Sequence, residues 1–160
     1  MTVRLAEFRA LLLLAAAAAL LAGCARGPTV GSIAPPRIPA GEARLWIYRV
    51  YLPSDTLNMT KVTMNGVYAG YAQLGGAFYR DVPPGIYHIE VSSYGKDFDQ
   101  STNVALVPGQ EAYVKIDSLD SWSTIIGAGF VSKRDTFYAR LIFPQIARAE
   151  IAQSFYDGGS

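Results

Sequence analysis

The sequence predicts a mainly β protein: a small antiparallel β-sandwich of seven or eight strands with a short C-terminal helix, set behind a leader and a Pro-rich linker. Three observations carry that expectation. Short stretches that alternate apolar and polar residues, rich in aromatic and β-branched types, recur between residues 43 and 143. Recognisable turn sequences separate them: Asn65-Gly66, Pro83-Pro84-Gly85-Ile86 and Val107-Pro108-Gly109-Gln110. After Pro144 the apolar period lengthens from two residues to about four.

Each element has its own reason. Residues 43–52, Ala-Arg-Leu-Trp-Ile-Tyr-Arg-Val-Tyr-Leu, suit an extended chain, and Pro53 ends them. Residues 61–65 alternate, with Val62 and Met64 toward a core, and Asn65-Gly66 supplies the positive backbone angles of a tight hairpin whose return runs over 67–72. A strand over 77–82 follows Gly75-Gly76. In each of the two Pro-Gly turns, proline presets the first central angle and glycine is expected to take the left-handed second one, as a type II turn requires. Between them Tyr87, Ile89 and Val91 alternate with His88, Glu90 and Ser92, and Val104 and Leu106 begin the return. Ala112, Val114 and Ile116 mark another strand; Phe137, Ala139, Leu141 and Phe143 lie on one face of a last one. Ala147, Ile151 and Phe155 then recur at helical spacing, with Pro144 in a first turn where its missing N–H costs nothing, so a helix ending near Gly158 is expected. Its apolar stripe is expected to cover an open sheet edge or a barrel mouth, the other reading being a partner-docking helix.

The chain before the strands reads as an address. Arg4 and Arg9 precede an apolar run over 10–21, then come Ala22, Gly23 and Cys24, the one cysteine of the chain. The run is about a dozen residues, short of the roughly 20 that span a bilayer core, and suits a removed export signal. Small residues before the cysteine let a peptidase reach the backbone, and the thiol is a nucleophile that can take a diacylglyceryl group. Residues 21–24 resemble the lipobox of bacterial lipoproteins, which implies cleavage between Gly23 and Cys24 and a covalent lipid, including palmitate, on Cys24. Two other readings compete: a secretory signal cut after Ala25, and an uncleaved anchor. The organisation is then a signal peptide over 1–23, an acylated cysteine with a flexible Pro/Gly linker over 24–41, and the sandwich with its helix over 42–160. Several acyl chains together anchor firmly where one binds only marginally, since each buried methylene adds about 0.8 kcal/mol. In lipoproteins of Gram-negative bacteria an aspartate after the cysteine commonly retains the protein in the inner membrane. By that resemblance Ala25 implies the outer membrane, facing the periplasm or the cell surface.

Removing the signal takes away Arg4, Glu7 and Arg9, leaving 12 basic and 12 acidic residues from the 14 and 13 of the whole chain. A balanced charge gives neither a nucleic-acid face nor a polybasic membrane patch. With no second cysteine the domain rests on its core instead of a disulfide.

Four motifs occur in order: Ala43-Arg44-Leu45-Trp46-Ile47-Tyr48-Arg49; Asn65-Gly66 followed by Gly70; Val82-Pro83-Pro84-Gly85-Ile86-Tyr87-His88; and Val107-Pro108-Gly109-Gln110-Glu111-Ala112-Tyr113. Together they resemble the bacterial lipoprotein family known as domain of unknown function twenty-eight forty-six, over about residues 43–116 and 137–143, and the stretch 84–114 is similar to PEGA-type surface β-sandwich domains. The segment 118–135, with Trp122 and Gly127-Ala128-Gly129, departs from the pattern. The resemblance implies an exported, lipid-anchored sandwich and brings no catalytic residues, metal or cofactor.

The residues themselves point away from an enzyme. The single histidine, His88, faces away from Tyr87, Ile89 and Val91 beside Glu90, as a solvated strand residue would, and no Ser, His and Asp set is brought together by spacing. Asp97 and Asp99 read as a solvated loop, because a calcium site needs 6 to 8 oxygen ligands. Gly127-Ala128-Gly129 lacks the lysine and spacing of a phosphate loop. The binding candidates are aromatic: Trp46 and Tyr48 on the first strand, Trp122 and Phe130 around the apolar stretch 125–131. The first strand is apolar on both faces. Either the second sheet and the helix cover them, or one is a docking surface. The expected function is that of a non-catalytic envelope lipoprotein, joined to the membrane by its lipid, whose sandwich holds or recognises an envelope protein partner. The alternative is a glycan or small-ligand binder that stacks on Trp and Tyr in a concave site.

Overall fold

The computed structural model describes residues 27–94, 97–126 and 130–159, and of those between 120 and 134 the backbone alone. After a 3-10 turn at Val30–Ser32, β1 (Ala43–Tyr48) leads to β2 (Thr60–Met64) and β3 (Val67–Ala72). Strands β4 (Gly76–Val82), β5 (Gly85–Val91) and β6 (Thr102–Leu106) follow. The long β7 (Glu111–Ile126) and β8 (Phe130–Ile142) precede α1 (Pro144–Ile151) and the two-residue β9 (Phe155–Tyr156). These strands form two sheets, in the orders β8-β7-β1-β4-β9 and β3-β2-β5-β6, that pack as a sandwich.

The core lies between the sheets. Leu45 and Ile47 of β1, Phe78 of β4, Val114 and Ile116 of β7 and Phe137 of β8 meet Val62, Ile89 and Val104 of the four-stranded sheet. The other face of the five-stranded sheet holds a second cluster, in which Trp46, Tyr48 and Tyr113 pack under Ala147 and Ile151 of α1 and under Val30. Every residue of β1 is therefore buried, which is why its sequence is apolar on both faces.

Five pairings are antiparallel, and two, β1 with β7 and β4 with β9, are parallel. A parallel neighbour needs a long crossover. Between β1 and β7 the crossover takes in the whole four-stranded sheet and β4; between β4 and β9 it takes in β5, β6, β7, β8 and α1. The Asn65-Gly66 hairpin forms as its sequence predicts, with φ of 50° and 78°. Gly109, at φ 74°, also takes the left-handed angle, and Gln110 N–H donates to the Val107 carbonyl at 3.1 Å. Gly85 does not take the positive angle expected of it: it opens β5 opposite Leu106. β4 and β5 lie in different sheets, so Pro83-Pro84 forms a corner between sheets and not a hairpin turn.

The C-terminal segment corrects the expected helix. α1 stops at Ile151, and Phe155 belongs to β9, paired in parallel with Gly76 of β4. The helix covers the outer sheet face, and the strand after it covers the edge. An exposed row of β4 backbone groups favours extended pairing there over two more helical turns.

The expected flexibility of the Pro/Gly linker is corrected over its described part. From Pro28 onward the linker is laid on the domain: Val30 N–H donates to the Ser154 carbonyl at 2.8 Å, Gly31 N–H to the Ala152 carbonyl at 3.1 Å, and the Pro28 carbonyl accepts from Tyr156 N–H at 2.9 Å. Farther along, Arg44 Nη1 donates to the Pro36 carbonyl at 2.8 Å, while its Nε and Nη2 form a fork on Asp81, each at 2.7 Å. An extended Pro-rich chain keeps its carbonyls available, and these find buried donors.

Candidate functional site

The end of the sandwich where β1 finishes carries the most built loop of the described structure. The chain leaves β1 at Arg49, whose side chain is 1% exposed. Its Nη2 lies 3.0 Å from Asp55 Oδ1, its Nη1 donates to the Asn58 carbonyl at 2.7 Å, and Nη2 also donates to the Thr56 carbonyl at 2.7 Å. The loop over 50–59 thus folds around a buried guanidinium that satisfies its carbonyls. Asp55 accepts further from Thr56 N–H and from the Ser118 hydroxyl of β7. Asp135 of β8, itself buried, accepts from the Thr56 hydroxyl at 2.8 Å and from the Asn58 amide. Both anchors come from the strand pair β7 and β8, so the loop is stapled to the five-stranded sheet.

Its outer side is apolar. Leu57 is 82% exposed, and Tyr51, Leu52 and Met59 are about half exposed. Leu57 and Met59 flank a shallow groove of about 380 Å³ completed by Gly27, Gln73, Leu74 and Phe155. The N-terminal chain therefore arrives at this same groove. Sequence reasoning passed over the loop. A signal for it existed in Leu57 and Met59 standing among Ser54, Asp55, Thr56 and Asn58, where a purely solvated loop would carry polar residues.

The aromatic candidates of the first strand are placed elsewhere. Trp46 and Tyr48, at 3% and 1% exposure, are packed beneath α1 and offer no surface. The Trp46 ring meets Tyr79 edge-on at 4.9 Å. The Tyr48 hydroxyl donates to Glu150 Oε2 at 2.7 Å, and Glu150 also accepts from Lys115 at 3.0 Å. Burial, then the nearby Glu150 carboxylate, push the Tyr48 hydroxyl pKa well up. The strand is apolar on both faces because it is an internal layer, not a docking face. The side chains of Trp122 and Phe130, and Gly23 and Cys24, lie outside the described residues. The backbone places Trp122 where the β7 and β8 register shifts, and Phe130 opposite Ile126. Trp122 is nine residues beyond Tyr113, the partner of Trp46, or about 30 Å along the strand. The four candidates do not form one site.

His88 sits half exposed, with Nδ1 2.8 Å from Asn103 Oδ1 and Nε2 3.6 Å from Glu90. Asp97 accepts from the Tyr138 hydroxyl at 2.7 Å and from Phe98 N–H, and the first of these holds its carboxyl below the usual range. Among the described residues, no group of three or more His, Cys, Asp and Glu stands together to hold a metal.

Tyr68 and Tyr71, on the edge strand β3, meet edge-on at 5.5 Å and face outward beside Val67. No family model matches the chain, and neither a curated protein nor a solved structure matches it.

Proposed function

We propose that the chain is a lipid-anchored, non-catalytic lipoprotein of the bacterial envelope, moored through Cys24, whose sandwich serves as a protein-interaction or structural module. The observation that carries this is the succession of residues at the N-terminus: two arginines, a short apolar run, then Leu21-Ala22-Gly23-Cys24 with the chain's single thiol. The ordered strand and turn motifs that resemble the lipoprotein family of unknown function support the same reading, and Ala25 favours the outer membrane. Protein contact is favoured over glycan stacking by the exposed Tyr68 and Tyr71 pair on an edge strand, since Trp46 and Tyr48 are spent in the core. Labelled palmitate is expected to enter the wild-type protein and not Cys24→Ala. Equal labelling of the two would contradict the proposal.

A further inference from the structure

We infer that the β1 end of the sandwich is seated on the lipid surface that holds Cys24, with Leu52, Leu57 and Met59 resting in the headgroup and acyl boundary; this rests on the lipoprotein reading above. The first argument is reach. Gly27 lines the groove beside Leu57 and Met59, and Cys24 stands three residues before it. Three extended residues span at most about 11 Å, and the chain from Pro28 onward is already hydrogen-bonded to β9 and the segment before it, so no further slack is available. The linker read from sequence as flexible over 24–41 thus leaves only a short leash between Cys24 and the domain.

The second argument is construction. A loop whose only task was to join β1 to β2 would not need a buried arginine and two carboxylates on its inner side. That network fixes the backbone over 50–59 and holds four large apolar side chains outward, at a cost that water contact does not repay. The third is charge. Residues 50–59 contain no lysine or arginine, and their one carboxylate, Asp55, is paired with Arg49. The surface suits the apolar boundary of the bilayer and not the charge of its headgroups, so seating is independent of anionic lipid. Apolar exposure alone does not pick this end, because Ile86, at the far end of β5, is also exposed. Proximity to the tether does.

The test uses the full processed protein, extracted with its lipid and placed in phosphatidylcholine vesicles that carry a nitroxide on shallow acyl carbons. With Cys24 acylated, a thiol introduced by Leu57→Cys, Met59→Cys or Ile86→Cys is the one available for a fluorophore; all three positions are exposed, so the fold tolerates the label. The lipid nitroxide is expected to quench the probes at 57 and 59 about two-fold or more, as for groups about 5–10 Å into the interface, at low and high salt alike, and to leave the probe at 86 unchanged. Probes at 57 and 59 open to aqueous iodide and unquenched by lipid, on protein whose Cys24 mass shows the acyl groups, overturn the seating and leave the anchor standing. Shielding from iodide without lipid quenching identifies a second copy on this face and also overturns it. Absence of acyl mass on Cys24 removes the anchor and the seating together.

Discussion

Asp55→Ala is expected to destabilise the fold by about 3–5 kcal/mol, the usual penalty for stranding one member of a buried ion pair. Arg49 is almost wholly enclosed, and once Asp55 is gone its remaining partners are carbonyls and the Ser118 hydroxyl, none of which carries a charge. The loss is read as a lower urea midpoint at an unchanged slope. Removing the charge as well, in Arg49→Met with Asp55→Ala, is expected to recover a large part of it, because an apolar pair of similar volume often replaces a buried salt bridge without cost. A single-variant change below about 0.5 kcal/mol, the range of ordinary surface substitutions, would mean that water reaches the guanidinium and that the loop is not stapled as described.

Trp46→Ala is the second large effect, about 3–5 kcal/mol, as for other buried aromatic truncations. The ring is part of the cluster that joins the five-stranded sheet to α1, with Tyr79 edge-on to it and Glu111 within 3.5 Å of its Nε1. Leu57→Ala, at an exposed position, is expected to change stability by less than about 0.5 kcal/mol. The two unfolding curves together separate a structural aromatic from a surface one. If Trp46→Ala left the midpoint in place and removed a binding activity, the first strand would be a docking face after all.

The sandwich was legible because its signals are local. Asn65-Gly66 states its own backbone angles, and the alternation at Tyr87, Ile89 and Val91 needs no knowledge of a partner strand. The two-faced apolarity of β1 was legible too, although it left open whether the second face was covered. What settles it is α1 lying over Trp46 and Tyr48, a contact between residues about a hundred positions apart. The parallel pairing of β1 with β7 was not legible for the same reason: nothing in either strand names the other, and the pairing depends on the intervening sheet crossing over. Composition misled at the linker. Pro28, Pro35, Pro36 and Pro39 mark extended chain, and extended chain is equally good at spanning distance and at pairing with an edge such as β9. Gly85 misled because Pro-Gly describes a turn but cannot say whether the two strands it joins share a sheet. The loop over 50–59 was silent because its organiser, Arg49, looks in sequence like one more outward residue at a strand end. Its partners Asp55 and Ser118, and Asp135 that holds Thr56 and Asn58, meet only in three dimensions.

The proposed mooring at Cys24 is the premise shared by the short leash, the seating of the stapled loop and the proposed envelope role. The direct measurement is the intact and N-terminal peptide mass of the protein extracted from bacterial envelopes. A chain beginning at Cys24 with diacylglyceryl and amide-linked acyl mass is the predicted result; a chain beginning at Arg26, or one that keeps its signal and an unmodified thiol, would contradict it.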